Sequence, residues 1–247
     1  MTNPSITGII PARYGSSRFP GKPLVDIAGK SMILRVYSQA LKVSALSQVI
    51  VATDDERIFR EIERHGGRAI MTSSSHRNGT ERCAEVASMM KSDYYINIQG
   101  DEPYIHPESI ETLASILDGT VELGTLVKKI ENPEQLVDPT TMKVLFNQEM
   151  EAIYFSRQCI PFIRDFPQSQ WLDHHNYFKH IGIYAYRADI LKKIVQLPPS
   201  PLEIAESLEQ LRWIENGFKI KLAKTNLESI SVDTPDDLLK LKTSEYE

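Results

Sequence analysis

Short apolar runs and amphipathic segments alternate along the first half of the chain. Apolar runs bounded by turn-forming residues predict strands over 6–10, 48–53, 68–71 and 94–99. Between these runs, apolar residues spaced three and four apart predict helices over 31–43, 55–65, 80–91 and 107–117. Strands that alternate with helices in this way predict an α/β fold with a mostly parallel sheet and helices on both of its faces.

The pattern changes between residues 122 and 187, where strand-like runs follow one another. The runs LGTLVKKI, TMKVLF, EAIYFSR and KHIGIYAYR predict a small antiparallel insertion. We therefore interpret 122–187 as an insertion subdomain within an α/β domain formed by 1–121 and 188–247. The remaining elements predicted after the insertion are a helix over 202–216, strands over 218–223 and 229–232, and a helix from 235.

The composition narrows the classes of protein to which this chain can belong. Of its 247 residues, 41% are hydrophobic and 25% are charged, as in ordinary globular proteins with a sizeable core. A net charge of −5 argues against binding to nucleic-acid backbones. No apolar run approaches the roughly 18 residues of a membrane helix, and the N-terminus lacks a secretory pattern. We therefore expect a cytoplasmic protein that binds neither nucleic acid nor membranes.

A basic, glycine-bearing loop, PARYGSSRFPGKPL (11–24), follows the first predicted strand. It carries Arg13, Arg18 and Lys22 in an otherwise acidic protein, and its glycines allow the backbone to approach a ligand closely. Because ligands of open α/β sheets bind beyond the carboxyl ends of the strands, the loop is a candidate phosphate site. Its glycine spacing matches neither the GxGxxG dinucleotide fingerprint nor the P-loop. A solvated surface loop stiffened by prolines is the alternative.

Carboxylates follow two further predicted strands. Asp101 comes just after 94–99, where a buried carboxylate is costly unless it is paired or binds a metal. In VDTPDDL, Thr234 and Asp237 have the spacing of a capping box, which leaves Asp233 without a capping role. Asp101 and Asp233 are therefore candidate ligands for Mg²⁺, which prefers carboxylate oxygens and substrate phosphates. A simple turn at Asp101 is the alternative, since Asp and Pro both favour turns.

Several other polar residues have two interpretations. HRNGTER (76–82) opens a predicted helix with Thr80 as the predicted N-cap. Backbone groups at such a turn can bind the edge of a base, and a loop with a cap explains the pattern equally well. Arg157 and His180 lie on separate strands of the insertion, and the polar residues of helix 202–216 are typical of a solvated face. For these residues the pattern alone does not separate binding from packing.

Eight stretches, taken together, resemble the 3-deoxy-manno-octulosonate (Kdo) cytidylyltransferase family, also called CMP-Kdo synthetases. In chain order they are IIPARYGSSRFPGKPL, VATDDERI, GTERCAEV, INIQGDEP, YFSRQCIP, KHIGIYAYR, LEQLR and VDTPDDL. The resemblance runs from about residue 6 to 240, and its first, fourth and sixth stretches are specific to sugar-acid cytidylyltransferases. One position departs from the pattern, because Asn78 stands where the family often has serine.

The resemblance implies transfer of CMP from CTP to Kdo, with release of pyrophosphate, for lipopolysaccharide biosynthesis. It also implies Mg²⁺ as the cofactor and a Rossmann-like nucleotidyltransferase fold. By the same resemblance, 122–187 would bind the sugar and form the interface of a homodimer, while 1–121 and 188–247 would bind the nucleotide.

The resemblance also gives an expected partner to each group of motif residues. The residues expected at the triphosphate are Arg13, Ser16, Ser17 and Lys22. Those expected at the cytidine are His76, Gly79, Thr80 and Arg82. The expected Mg²⁺ ligands are Asp101 and Asp233, which together with Arg13 and Lys22 would be the catalytic residues. The residues expected around the sugar acid are Gln99, Arg157, His180, Tyr184, Glu209 and Gln210.

Other functions stay open at this point. The sequence does not separate a pocket for Kdo from one for 8-amino-Kdo or a nonulosonic acid. An NAD-dependent oxidoreductase is a more distant alternative, and the missing fingerprint argues against it. A non-catalytic nucleotide-binding module is the third, and the basic loop together with Asp101 and Asp233 argues against it.

Overall fold

The computed structural model describes residues 4–15, 19–228 and 230–243, and its main feature is a nine-stranded mixed sheet. The strands are β1 Ile6–Ala12, β2 Asp26–Ile27, β3 Lys30–Ser31, β4 Gln48–Thr53, β5 Ala69–Met71, β6 Tyr94–Asn97, β7 Leu123–Lys129, β8 Lys143–Phe146, β9 Ala152–Ser156, β10 Phe178–Arg187 and β11 Ile220–Lys224. The α-helices are α1 Met32–Ala40, α2 Glu56–Arg64, α3 Gly79–Met89, α4 Pro107–Ala114, α5 Pro133–Val137, α6 Trp171–His174, α7 Ala188–Ile194, α8 Pro201–Glu206, α9 Glu209–Glu215 and α10 Pro235–Thr243.

The sheet has the order β11-β7-β10-β6-β1-β4-β5, with β8 joined to β10 and β9 joined to β8. Strand β10 runs antiparallel to its neighbours β7 and β6. The other neighbouring pairs in this order are parallel: β11–β7, β6–β1, β1–β4 and β4–β5. The short strands β2 and β3 form a separate antiparallel pair. This topology confirms the predicted α/β class with a mostly parallel sheet.

Both faces of the sheet are covered because successive side chains of a strand point to opposite sides. Ile10 of β1 packs in the cluster that contains the buried side chains of α1, α2 and α4. Its neighbour Ile9 packs in a second cluster with side chains of α3, α7 and α9. The predicted helices on both faces are therefore present. Among the described residues, no helix has the length and apolar character that a membrane span requires.

The strands at the two ends of the predicted insertion 122–187 belong to the central sheet. Strands β7 and β10 lie between β11 and β6, and residues 123–127 of β7 are all buried. A strand that is covered on both faces has a continuous apolar sequence, so local pattern does not reveal its neighbours in the sheet. The part outside the α/β alternation is therefore 130–177, which includes the β8–β9 hairpin. Its roles in sugar binding and dimerisation stay predictions.

Two predicted elements after the insertion differ in the structure. The helix predicted over 202–216 is divided into α8 and α9 by Ser207, whose φ of 53° is left-handed and ends α8. The strand predicted over 229–232 lies partly at residue 229, outside the described residues, and 230–232 are not in a strand. Instead, the backbone N–H of Val232 donates to the carbonyl of Asp101 at 2.9 Å, which brings two distant segments together.

Candidate active site

Two adjoining cavities open at the carboxyl ends of β1 and β6, where ligands bind in open α/β sheets. Their volumes are about 190 and 290 Å³, and they share a wall formed by Pro11, Ala12, Arg13 and Gln99. Arg13 is exposed just after the end of β1 and lines both cavities. A ligand that extends through both cavities would therefore pass Arg13.

The first cavity brings together all four predicted catalytic residues, which come from distant segments of the chain. Lys22 Nζ lies 2.9 Å from Asp101 Oδ2 and 3.3 Å from Asp233 Oδ1. The hydrogen bond between Val232 and Asp101 places the two aspartates side by side. All three side chains, together with Arg13, line this cavity. The cavity thus combines cations that suit phosphates with carboxylates that suit a metal ion.

Asp233 has no part in the side-chain capping of α10, as the sequence predicts, and its carboxylate lines the first cavity. One carboxylate oxygen of Asp237 accepts from the backbone N–H groups of Asp233 and Thr234 and from the Thr234 hydroxyl, at 2.9 to 3.1 Å. This is the reciprocal half of a capping box, in which an acidic side chain in the first turn binds back to the cap residue. Asp237 therefore takes the capping role, and the carboxylate of Asp233 points to Lys22.

The donor set of the first cavity fits Mg²⁺. Asp101 and Asp233 direct carboxylate oxygens to one place, which the Lys22 ammonium shares as the counter-charge. Residues 4–15, 19–228 and 230–243 contain no group of three or more His, Cys, Asp or Glu side chains arranged to hold a metal. A protein usually contributes one or two carboxylates to a Mg²⁺ site, and substrate phosphates and water supply the other ligands. The assignment of Mg²⁺ to these two residues stays a prediction.

Gly100 allows the segment that carries Asp101 to approach β1. A Cβ atom added at Gly100 would lie 2.7 Å from the carbonyl oxygen of Pro11, which is backbone and cannot rotate away. We expect Gly100→Ala to lower the free energy of unfolding by about 1–3 kcal/mol, as overpacking does, and to reduce turnover by displacing Asp101. Thermal unfolding and steady-state kinetics measure both effects. Gly15→Ala is the stability control, since no described residue lies within 4 Å of its Cβ position.

The second cavity is formed around the N-terminus of α3. Besides the shared wall, its lining consists of His76, Arg77, Asn78, Gly79 and Arg82. Gly79 lets α3 approach the sheet, because its Cβ position lies 3.2 Å from Asn97 Nδ2 and 3.3 Å from Pro11 Cγ. Three residues of the predicted cytidine group, His76, Gly79 and Arg82, therefore lie at one cavity.

Hydrogen bonds orient the two polar side chains of this group. The imidazole Nε2 of His76 contacts the carboxylate of Glu85. Arg82 is buried, where its guanidinium lies 3.1 Å from Asp54 Oδ2 and also donates to the Thr72 hydroxyl. Because the guanidinium of Arg82 is already paired with Asp54, we expect Arg82 to form part of the cavity wall rather than to pair with a charged ligand.

The N-cap of α3 is Asn78, so the prediction that Thr80 is the cap is wrong. Asn78 Oδ1 accepts from the backbone N–H of Glu81 at 2.9 Å, and Asn is as good a cap as serine. Thr80 is the second residue of the helix and is buried. Its hydroxyl donates to Glu209 Oε2 at 2.9 Å, so Thr80 faces the predicted sugar residues rather than the second cavity.

Four predicted sugar residues, His180, Tyr184, Glu209 and Gln210, form what we call the β10–α9 cluster. The rings of His180 and Tyr184 have centroids 5.1 Å apart. Within the described part of the chain, His180 Nδ1, Tyr184 Oη and Gln210 Nε2 are buried without a hydrogen-bond partner. Buried polar atoms are nearly always bonded to protein or to ordered water, so each of these three atoms can take part in one further hydrogen bond.

A bulge in β10 connects this cluster to the cavities. The register of β10 against β7 shifts between Ile181 and Tyr184. The freed carbonyl of Gly182 accepts from Gln99 Nε2 at 2.8 Å, and Gln99 lines both cavities. Bulges redirect side chains next to functional sites. Gln99 is therefore positioned between the cavities and the β10–α9 cluster.

Burial determines the protonation state of His180. Loss of solvent lowers the pKa of its imidazole to about 3, whereas the unfolded value is about 6.5. The unfolded chain therefore binds one more proton between these values, and stability falls as the pH falls through that window. The slope for one proton is about 1.4 kcal/mol per pH unit. We expect the free energy of unfolding of His180→Gln, measured from pH 7 to pH 4, to lack this contribution to the pH slope. The same slope in the variant as in the wild type would contradict a buried, neutral His180.

The structure does not bring Arg157 to either cavity. Its guanidinium donates to three backbone carbonyls, those of Glu206 at 2.7 Å, Pro139 at 3.1 Å and Ser207 at 3.4 Å. Arg157 therefore supports the left-handed turn between α8 and α9, and its predicted contact with the sugar acid stays a prediction. The predicted triphosphate residues Ser16 and Ser17 lie outside the described residues.

One buried polar residue at the site was not identified from the sequence. Asn97 lies near the end of β6 beside Gly79, and its Oδ1 is among the buried atoms without a partner in the described residues. Its Nδ2 donates to Tyr186 Oη at 3.3 Å. The amide of Asn97 between Ile96 and Ile98 was the available signal, because a polar residue in a central strand requires a partner.

Comparison with known proteins agrees with this geometry. Residues 7–222 match a family model described as cytidylyltransferase. A 3-deoxy-manno-octulosonate cytidylyltransferase of Cytophaga hutchinsonii is 54% identical, with 97% of each chain covered. A protein of the same name from Parabacteroides distasonis is 52% identical, covering 94% of this chain and 95% of the relative.

Solved structures extend the comparison to the fold. The structure of CMP:2-keto-3-deoxy-manno-octonic acid synthetase complexed with CTP has a TM-score of 0.90 and 44% identity, covering 96% of this chain and 97% of that one. A 4-diphosphocytidyl-2C-methyl-D-erythritol synthase from Anaerococcus prevotii has a TM-score of 0.64, 14% identity and 98% coverage of both chains, and shares the fold alone. With a family model that spans most of its length and relatives of about half identity throughout, this chain belongs to the 3-deoxy-manno-octulosonate cytidylyltransferase family.

Proposed function

We propose that this protein transfers CMP from CTP to the anomeric hydroxyl of Kdo, with release of pyrophosphate. The observation that carries the proposal is the arrangement of the two cavities, which share Arg13 and Gln99 and adjoin the β10–α9 cluster. One cavity suits a triphosphate and a metal ion, the second suits a base, and the cluster suits a polar sugar. CTP is a cytoplasmic substrate, so we place the reaction in the cytoplasm and its product in lipopolysaccharide biosynthesis.

The chain's own cations would bind the triphosphate. Arg13 borders both cavities and would contact the phosphates as they pass between the base and the metal site. Lys22 pairs with both Asp101 and Asp233 in the structure, and it would be available to the phosphates with a metal ion between the two carboxylates. Fixed cations at the departing pyrophosphate stabilise the charge that develops there. We expect Arg13 and Lys22 to act mainly in this way.

The metal and the sugar residues would complete the reacting geometry. Mg²⁺ held by Asp101 and Asp233 would neutralise the α-phosphate and polarise the attacking oxygen. The β10–α9 cluster, with Gln99, would orient the sugar so that its anomeric hydroxyl faces the α-phosphorus opposite the departing pyrophosphate. Positioning of this kind supplies much of the catalysis in phosphoryl transfer.

Pyrophosphate release tests the proposed function directly. The purified protein is incubated with Mg²⁺, each of the four nucleoside triphosphates, and Kdo, 8-amino-Kdo or a nonulosonic acid. We expect release only with CTP and Kdo. Release with CTP and another acid would change the substrate, and no release with any pair would exclude the enzyme.

We also propose that the protein is a homodimer that pairs through 130–177. Four large apolar side chains of this region are exposed: Phe162 by 73%, Val137 by 55%, Ile153 by 55% and Phe166 by 40%. Exposed apolar residues gathered in one region are typical of protein interfaces. We expect Phe162→Asp to shift the protein from dimer to monomer in size-exclusion chromatography with light scattering. Leu41→Asp, at an exposed apolar residue next to α1, is the control and should stay dimeric.

A further inference from the structure

Asn78 is the N-cap of α3, and its two amide atoms make separate contacts. Oδ1 accepts from the backbone N–H of Glu81 and caps α3 at 2.9 Å. Nδ2 donates to Glu209 Oε1, also at 2.9 Å, across a separation of 131 residues in the chain. The cap requires only the oxygen, so the contact with Glu209 is a second and independent role of the same side chain.

The carboxylate of Glu209 receives both of its described side-chain hydrogen bonds from α3 and its cap. The second oxygen accepts from the Thr80 hydroxyl at 2.9 Å. Thr80 Oγ1 lies 3.3 Å from Tyr186 Oη, to which Asn97 Nδ2 donates, so a chain of donors leads to Glu209. Burial raises the pKa of Glu209, because its charged form has lost water. The two donors offset this cost and hold the carboxylate in one orientation.

Asn78 also lines the second cavity, whereas Glu209 belongs to the β10–α9 cluster. We propose that Asn78 is a positioning residue that orients the carboxylate of Glu209 toward the sugar acid from the wall of the nucleotide cavity. This inference rests on the proposed function for the identity of the sugar acid. The hydrogen bond between Asn78 and Glu209 is independent of the proposed function.

Serine cannot replace both contacts in the same geometry. Its single hydroxyl oxygen lies about one bond length closer to the backbone than the amide atoms of Asn78, and one atom would have to serve both Glu81 and Glu209. A serine would therefore preserve the cap of α3 and weaken the contact with Glu209. Asn78→Ser thus separates the two roles.

The kinetic test uses Asn78→Ser and Asn78→Asp with CTP and Kdo. Both substitutes are good N-caps, so α3 stays capped in each. A hydrogen bond to a charged group accounts for roughly a tenfold change in binding. We therefore expect the KM for Kdo to rise about tenfold in Asn78→Ser and further in Asn78→Asp, where a carboxylate faces Glu209. Asn78 also lines the nucleotide cavity, so the inference requires that the KM for Kdo rises by a larger factor than the KM for CTP. An unchanged KM for Kdo in both variants would overturn the inference.

A second test needs no substrate and is a rescue by exchange of donor and acceptor. Asn78→Asp alone places two carboxylates together, whereas Glu209→Gln alone keeps an oxygen that accepts from the Asn78 amide. The double variant restores one donor opposite one acceptor. We expect the Tm of Asn78→Asp, measured at pH 8, to fall by about 3 °C or more and the double variant to recover most of that loss.

The two tests separate failure of this inference from failure of the proposed function. Additive changes in Tm would show that Asn78 and Glu209 do not interact, and would overturn the inference whatever the substrate. A wild-type protein without turnover on CTP and Kdo would instead refute the proposed function. The rescue in Tm would then still decide whether Asn78 positions Glu209.

Discussion

Asp101→Asn and Asp233→Asn should each fold normally and lose turnover by about three orders of magnitude or more. Each change removes a charged oxygen from the proposed Mg²⁺ site, and a metal ion supplies several kcal/mol of transition-state stabilisation. The folded state should tolerate the change because both side chains are partly exposed, by 29% and 43%. Ion pairs with that exposure contribute little to stability. Pyrophosphate release and thermal unfolding measure the two effects.

Asp236→Asn is the matched control for these variants. Asp236 lies in the first turn of the same helix that follows Asp233, and it is exposed. We expect its turnover to remain within about twofold of wild type, as for ordinary surface substitutions. Near wild-type activity in either Asp101→Asn or Asp233→Asn would refute the metal assignment.

Lys22→Met should reduce kcat by roughly two to three orders of magnitude, which is the usual effect of removing one fixed group that stabilises developing charge. The same variant should bind Mg²⁺ more tightly in the absence of nucleotide. In the structure the ammonium of Lys22 lies between Asp101 and Asp233, where it competes with a metal ion for the same carboxylates. Removing this cation raises the negative potential at the site.

Isothermal titration with MgCl₂ and steady-state kinetics test both parts of this prediction. Lys22→Arg is the control, since it keeps the positive charge and should keep the weaker Mg²⁺ binding of the wild type. Wild-type turnover in Lys22→Met would contradict a role for Lys22 at the phosphates. Unchanged Mg²⁺ binding would contradict competition between Lys22 and the metal.

Much of the fold follows from local pattern. The apolar run 48–53 predicts β4 with the bounds that the structure has, because a strand buried on both faces needs a continuous apolar sequence. The order of the strands does not follow in this way. The sequence pattern predicts β7 and β10 as parts of an insertion, yet both lie inside the central sheet. Their pairing there is decided by segments that are far apart in the chain.

The site shows the same division. The capping pattern of VDTPDDL predicted that Asp233 is left without a capping role, and the structure places it beside Asp101 and Lys22. The pattern at HRNGTER predicted Thr80 as the cap, but Asn78 takes that role and Thr80 turns to Glu209. A short polar side chain near a helix start can serve either purpose, and its tertiary neighbour decides between them.

By itself, the sequence determined the α/β class, most of the helices and strands, and the loops that carry Arg13, Lys22, Asp101 and Asp233. These depend on periodicity and turn chemistry within about 10 to 15 residues. Only the tertiary structure decided the contact between Asn78 and Glu209. Hydrogen-bond partners and burial arise when distant segments approach, and neither has a signature within one segment.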